Sequence, residues 1–169
     1  MPVNPVHTDN APAAIGAYSQ ATLAEGFLFT SGQLGLVPAT GALAEGVEAQ
    51  ARQAFANLEA ICAAAGTTLG NTVKMTIFLA DINEFAVVNK VMTEVMSEPY
   101  PARSCFAVAA LPKAARVEIE AVVSSVRRSS RPLTSGSRSS GSCATGTLRF
   151  TSHFAMRTRR ASHPSARSP

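Results

Sequence analysis

Apolar residues recur along this chain in two rhythms, and each change of rhythm marks a new element. Val47, Ala51, Ala54, Phe55, Leu58, Ile61, Cys62 and Ala65 fall at helical spacing, with Glu48, Arg52, Gln53 and Glu59 on the opposite face. This predicts a helix over 47–65, stopped by Gly66, which takes a left-handed conformation at little cost. Phe85, Val88, Met92, Val95 and Met96 form a second helical stripe. Asp81, with Glu84 three residues on, gives it a capping-box start, and Pro99 and Pro101 end it. Elsewhere the period falls to two. Val73, Met75, Ile77 and Leu79 alternate with Thr72, Lys74, Thr76 and Phe78. Val117, Ile119, Ala121 and Val123 alternate with Glu118 and Glu120 within a strand predicted over 116–126. Further strands are predicted over 17–22, 26–33 and 104–111, with Glu25-Gly26 as a hairpin turn between the first two. Residues 1–16 are expected to be irregular, since Pro2, Pro5 and Pro12 limit regular structure.

The resulting order, ββ-α-β-α-ββ, predicts an α+β domain: a single mixed sheet with two helices packed on one face. The other face is left open, and association through it is expected.

Composition fits a globular domain: 46% of the 169 residues are hydrophobic and 15% charged. No apolar run reaches the ~18 residues of a membrane span, so no membrane partner is expected. Residues 1–10 have neither a basic nor an apolar signal-peptide region, so no secretory signal is expected. Cys62, Cys105 and Cys143 lie far apart without CxxC spacing, which fits neither a disulfide framework nor a zinc site. A reducing cytoplasm is the expected setting. Charge adds a boundary. Residues 1–126 carry a net −5, whereas 127–169 carry nine Arg, eleven Ser and no acid. The reading is a domain over 1–126 and a Ser/Arg-rich tail over 127–169, expected to be disordered. The domain has no Gly-rich phosphate loop and its charge is negative, so no specific nucleic-acid partner is expected.

Candidate chemistry concentrates between Pro101 and Glu120. Arg103 offers a planar fork suited to a carboxylate. Glu118 and Glu120 share one strand face, where one carboxylate of raised pKa would orient water or move a proton. The competing reading is structural: a surface arginine paired with either glutamate across a short hairpin, so that contact between them is expected. Cys105 lacks a base to make it a nucleophile, since the only His in the first 126 residues is His7. A pocket wall is the better reading. Tyr18 and Ser31 stand near strand ends, and Gly32 permits a close backbone approach. Ordinary sheet packing and turn chemistry are the alternative for these three. Asn89 lies on the second helix, where exposure is its alternative.

Several stretches together resemble the RidA family of small imine deaminases: residues 10–20 (NAPAAIGAYSQ), 30–33 (TSGQ), 49–58 (AQARQAFANL), 101–105 (PARSC), Leu111-Pro112, and 117–121 (VEIEA). Similarity runs from about residue 7 to 126. The resemblance implies a chorismate-mutase-like fold, a homotrimer with sites between subunits, and no cofactor. It implies hydrolysis of 2-iminopropanoate and 2-iminobutanoate to 2-keto acids and ammonia. By position, Arg103 would bind the substrate carboxylate, Glu118 would orient water, and the Cys105 backbone would help hold the imine. Tyr18, Ser31, Gly32 and Asn89 would line the pocket. The tail is foreign to the family, and its composition suggests translation in a wrong reading frame or read-through. Two other functions fit the same resemblance: an RNA-cleaving translation inhibitor, and a non-enzymatic small-carboxylate binder or chaperone-like protein.

Overall fold

The structure is a computed structural model and describes residues 2–126. The expectations for residues 127–169 lie outside the described residues.

One seven-stranded sheet carries two helices. Its strands are β1 (Asn4–Val6), β2 (Ala21–Ala24), β3 (Phe27–Thr30), β4 (Gln33–Leu34), β5 (Thr72–Leu79), β6 (Ala102–Ala107) and β7 (Val117–Ser124). The helices are α1 (Gly46–Ala64) and α2 (Phe85–Val95). The sheet runs β1-β2-β3-β7-β5-β6, with β4 also paired to β7. All pairs are antiparallel except β5 with β6, which α2 connects as a parallel crossover.

Local sequence accounts for most of these elements. Glu25 and Gly26 both take positive φ, at 48° and 77°, as the two-residue turn between β2 and β3 requires. Gly66, with φ 74°, ends α1: its N–H donates to Ala63 O, and the Thr67 N–H donates to Cys62 O. The Asp81 side chain accepts from the Asn83 N–H at 2.9 Å and caps a 3₁₀ turn (Ile82–Glu84) that feeds α2. Glu84 does not close a capping box; its carboxylate pairs with Arg116.

The core lies between the helices and one sheet face. Ala54, Phe55, Leu58 and Ile61 of α1 and Val88, Val91 and Met92 of α2 meet Met75, Ile77, Leu79, Val117, Ile119 and Val123, all buried. Val73, expected on that face, is 47% exposed, because the register with β7 shifts between Thr72 and Lys74 and ejects it as a bulge. The opposite sheet face carries Phe27, Phe29 and Phe106, all exposed.

Three further expectations change. Asn4–Val6 is a strand rather than irregular chain: it lies at the sheet edge, where the missing N–H of Pro5 is tolerated. The strand expected over 26–33 breaks at Ser31-Gly32 into β3 and β4. The largest difference concerns the last two strands. β6 and β7 are not a hairpin, because β5 lies between them and pairs with both.

Candidate active site

The break between β3 and β4 builds one half of the candidate site. β3 pairs with residues 122–124 of β7, and β4 pairs with Glu118 and Ile119. Ser31 and Gly32 fall in the gap. The Ala121 N–H, which the gap would leave unpaired, donates to Thr30 Oγ1 at 2.9 Å. Glu118, half-buried on the open sheet face, turns into the gap against Gly32. A Cβ at Gly32 would overlap the Glu118 carboxyl, so glycine is needed here for close approach rather than for backbone conformation. Burial first, and the neighbouring Glu120 second, push the Glu118 carboxyl above its ordinary value. Glu118, Gly32, Ser31 and Tyr18 share a cavity of about 450 Å³. Ser31 Oγ donates to Ser19 O at 2.7 Å, so its hydrogen is committed within the protein. Tyr18 is 51% exposed at the mouth.

Arg103 occupies a different cavity, of about 350 Å³, with Asn89, Met92 and Tyr100. Its Nη1 donates to Asn89 Oδ1 at 2.7 Å and lies 3.4 Å from Met92 Sδ. Its guanidinium carbon lies 5.1 Å from the centre of the Phe85 ring. Phe85, Asn89 and Met92 stand at i, i+4 and i+7 on α2, so one helix face grips the cation. Every one of these contacts is neutral. Among the described residues Arg103 forms no ion pair. Cys105, two residues along β6, is partly buried against the core. Burial pushes its thiol up despite the nearby Arg103 charge, which disfavours the thiolate; Cys105 lines neither of the two cavities.

The expected contact of Arg103 with Glu118 or Glu120 does not form. Arg103 is level with Met75 and Ala121, whose side chains pack under the helices. Glu118 is level with Phe78 and Phe106 on the open face. The two charged groups therefore lie two strands apart on opposite faces of the sheet. Tyr18, Ser31, Gly32 and Glu118 are brought together, as are Asn89, Arg103 and, along the strand, Cys105; the two sets are not.

Comparison with known proteins follows the same residues. The family model described as Endoribonuclease L-PSP matches residues 8–125. The RutC family protein y4sK of Sinorhizobium fredii is 53% identical over 124 residues, 72% of this chain and 98% of that protein. The 2-iminobutanoate/2-iminopropanoate deaminase of Salmonella typhimurium is 48% identical over 126 residues, 73% of this chain and 97% of that protein. The chain belongs to the RidA family. Among solved structures, RidA from an Antarctic Psychrobacter superposes with a TM-score of 0.70 at 50% identity, covering 72% of this chain and 98% of that one. Escherichia coli TdcF with bound serine gives a TM-score of 0.68 at 40% identity, covering 72% and 98%. The RidA fold is thus shared by the described domain.

Sequence reasoning missed three residues at these cavities. Phe85 reads as core from its place on the apolar stripe, yet it is 38% exposed beneath Arg103. The i+4 spacing to Asn89 is the signal that would have found it. Gln20 reads as one polar residue in a strand, but it is 1% exposed and lines the Glu118 cavity. Lys113 reads as a turn residue; its φ of 56° places it in a left-handed turn at the rim of that cavity.

Proposed function

We propose that this protein hydrolyses 2-imino acids, 2-iminopropanoate and 2-iminobutanoate among them, to 2-keto acids and ammonia, at sites completed between copies of the chain in a homotrimer. The observation that carries this reading is the Arg103 guanidinium held by Asn89, Met92 and Phe85 with no carboxylate partner among the described residues. A partly buried fork with an unspent charge suits a small carboxylate. The deaminase names of RidA relatives at about half identity support the substrate class.

Arg103 anchors the substrate carboxylate, and Asn89 fixes the rotation of the guanidinium. The imine carbon beside that carboxylate is already electrophilic when the nitrogen is protonated. Glu118, as carboxylate, accepts a hydrogen bond from water and takes its proton as the oxygen bonds to carbon. Collapse of the resulting amino alcohol returns a proton to nitrogen, expels ammonia and leaves the 2-keto acid. The Cys105 backbone and Gly32 border the imine, and Tyr18 closes one side. Ser31 acts from behind, through its bond to Ser19 O. Position and one proton transfer suffice for such a substrate. Since Arg103 and Glu118 open on opposite faces of one sheet, a single copy cannot bring them to one imine. A neighbouring copy seated on the open face, where Phe27, Phe29 and Phe106 are exposed, supplies the missing half. The endoribonuclease in the family description suits this domain less well, because residues 2–126 carry a net −5.

The test couples a threonine dehydratase to the protein and follows keto-acid formation from threonine. Wild-type protein is expected to accelerate the release, and Arg103→Ala to abolish the acceleration. No acceleration by the wild type would sink the proposal.

A further inference from the structure

The segment from Pro12 to Ser19 forms a strap along the Glu118 cavity, and two side chains fasten its ends. At the first end Gln20, 1% exposed, folds back on the chain before it. Its Oε1 accepts from the Thr8 N–H at 2.7 Å. Its Nε2 faces three carbonyls, Thr8 O at 3.0 Å, Pro12 O at 2.9 Å and Ala11 O at 3.3 Å. At the other end Ser31 Oγ donates to Ser19 O, and the Ser31 N–H donates to Gln20 O at 3.0 Å. Between the anchors the strap buries little: Ile15 is 77% and Tyr18 51% exposed. Within it, the Ile15 N–H reaches Tyr18 Oη at 3.4 Å.

A carboxamide so deeply buried, with both its oxygen and its nitrogen committed to backbone, is costly to disturb, because each partner left unpaired loses its hydrogen bond without gaining water. Among the described residues no other hydrogen bond ties the strap to the core. We infer that Gln20 is a positioning residue for the deaminase site: it fixes the strap, and through it the phenol of Tyr18, over the cavity that holds Glu118. Gln20 itself touches no reacting atom. The inference rests on the proposed function for the role of Tyr18, but its structural part does not.

The test uses that separation. The chain has two tyrosines and no tryptophan, so in a Tyr100→Phe background Tyr18 is the sole strong ultraviolet emitter. Gln20→Met, which keeps the length of the side chain and removes its hydrogen bonds, is expected to raise iodide quenching of Tyr18 emission about twofold or more. Unchanged quenching would overturn the inference whatever the activity. In the full chain, Gln20→Met is expected to lower kcat/KM about tenfold, yet to have no further effect once Tyr18 is Ala. An equal loss in both backgrounds would make Gln20 merely structural and would also overturn it. If Gln20→Met fails to fold, Ser31→Ala, which frees only the far anchor, must give the same rise in quenching. A rise in quenching with no wild-type deaminase activity would support the strap and defeat the function.

Discussion

Arg103 and Glu118 do opposite things to stability and to chemistry. Arg103 is placed by neutral partners, and in the proposed reaction its charge serves the substrate carboxylate. Arg103→Lys keeps the charge but loses the fork, and a charge-assisted hydrogen bond is worth about 1.5–3 kcal/mol, so kcat/KM in the coupled assay is expected to fall about tenfold or more. An unchanged value would show that charge alone matters. Glu118 is half-buried with its pKa raised, first by burial and then by Glu120. Its folded value lies above its unfolded one, so its stabilising contribution is fully present below the unfolded value and is lost as pH rises through the folded one. Near neutrality the ionised carboxylate is therefore a cost to folding. Glu118→Gln is expected to raise the urea midpoint at pH 7, leave it little changed at acid pH, and remove activity. In the proposed mechanism the active form is the carboxylate, so wild-type kcat/KM is expected to rise with pH through a value above the ordinary glutamate range. Glu120→Gln is expected to move that rise to lower pH. A midpoint at pH 7 that falls in Glu118→Gln would contradict the burial argument.

At the scale of elements, α1 does more than cover the sheet. Asn57, fully buried in its middle, donates through Nδ2 to Leu34 O at 3.1 Å and Leu36 O at 2.9 Å and accepts from Gln53 Nε2. It thereby fixes β4 and the chain beyond it, whose Leu34 and Leu36 line the Glu118 cavity. Asn57→Leu leaves two part-buried carbonyls without this partner, and at about 1–3 kcal/mol for each it is expected to destabilise the fold by roughly 2–6 kcal/mol in urea unfolding. A loss below about 0.5 kcal/mol would mean that water replaces the amide. Apart from β1, the elements themselves were legible in the sequence, because their signals are local. The helical stripe of 47–65, Gly66 at its end, Glu25-Gly26 and the alternation of 117–123 each act within a few residues. The break at Ser31-Gly32 was not legible: it depends on Glu118, far along the chain, needing the space a side chain at 32 would fill.

At the scale of the molecule, the residue types of the site could be read but their arrangement could not. Arg103 and the two glutamates are close in sequence, which invites a hairpin. The order β7-β5-β6 separates them, since β5 has edges for both neighbours and α2 carries the chain to its outer side. Alternation then decides the rest: Arg103 shares a face with Ala121, and Glu118 with Phe106. On the proposed reading one chain holds two half-sites that face apart, and an open apolar face on which another copy brings unlike halves together. The most direct test mixes two inactive variants, Arg103→Ala and Glu118→Gln, unfolds them together and refolds them as mixed oligomers. Each shared site then draws its two halves independently, and about one quarter of sites are expected to be intact in a symmetric closed assembly. Recovery of about a quarter of wild-type deaminase activity is the expected result. Activity no higher than that of either variant alone, with mixing shown by mass, would contradict a site shared between copies.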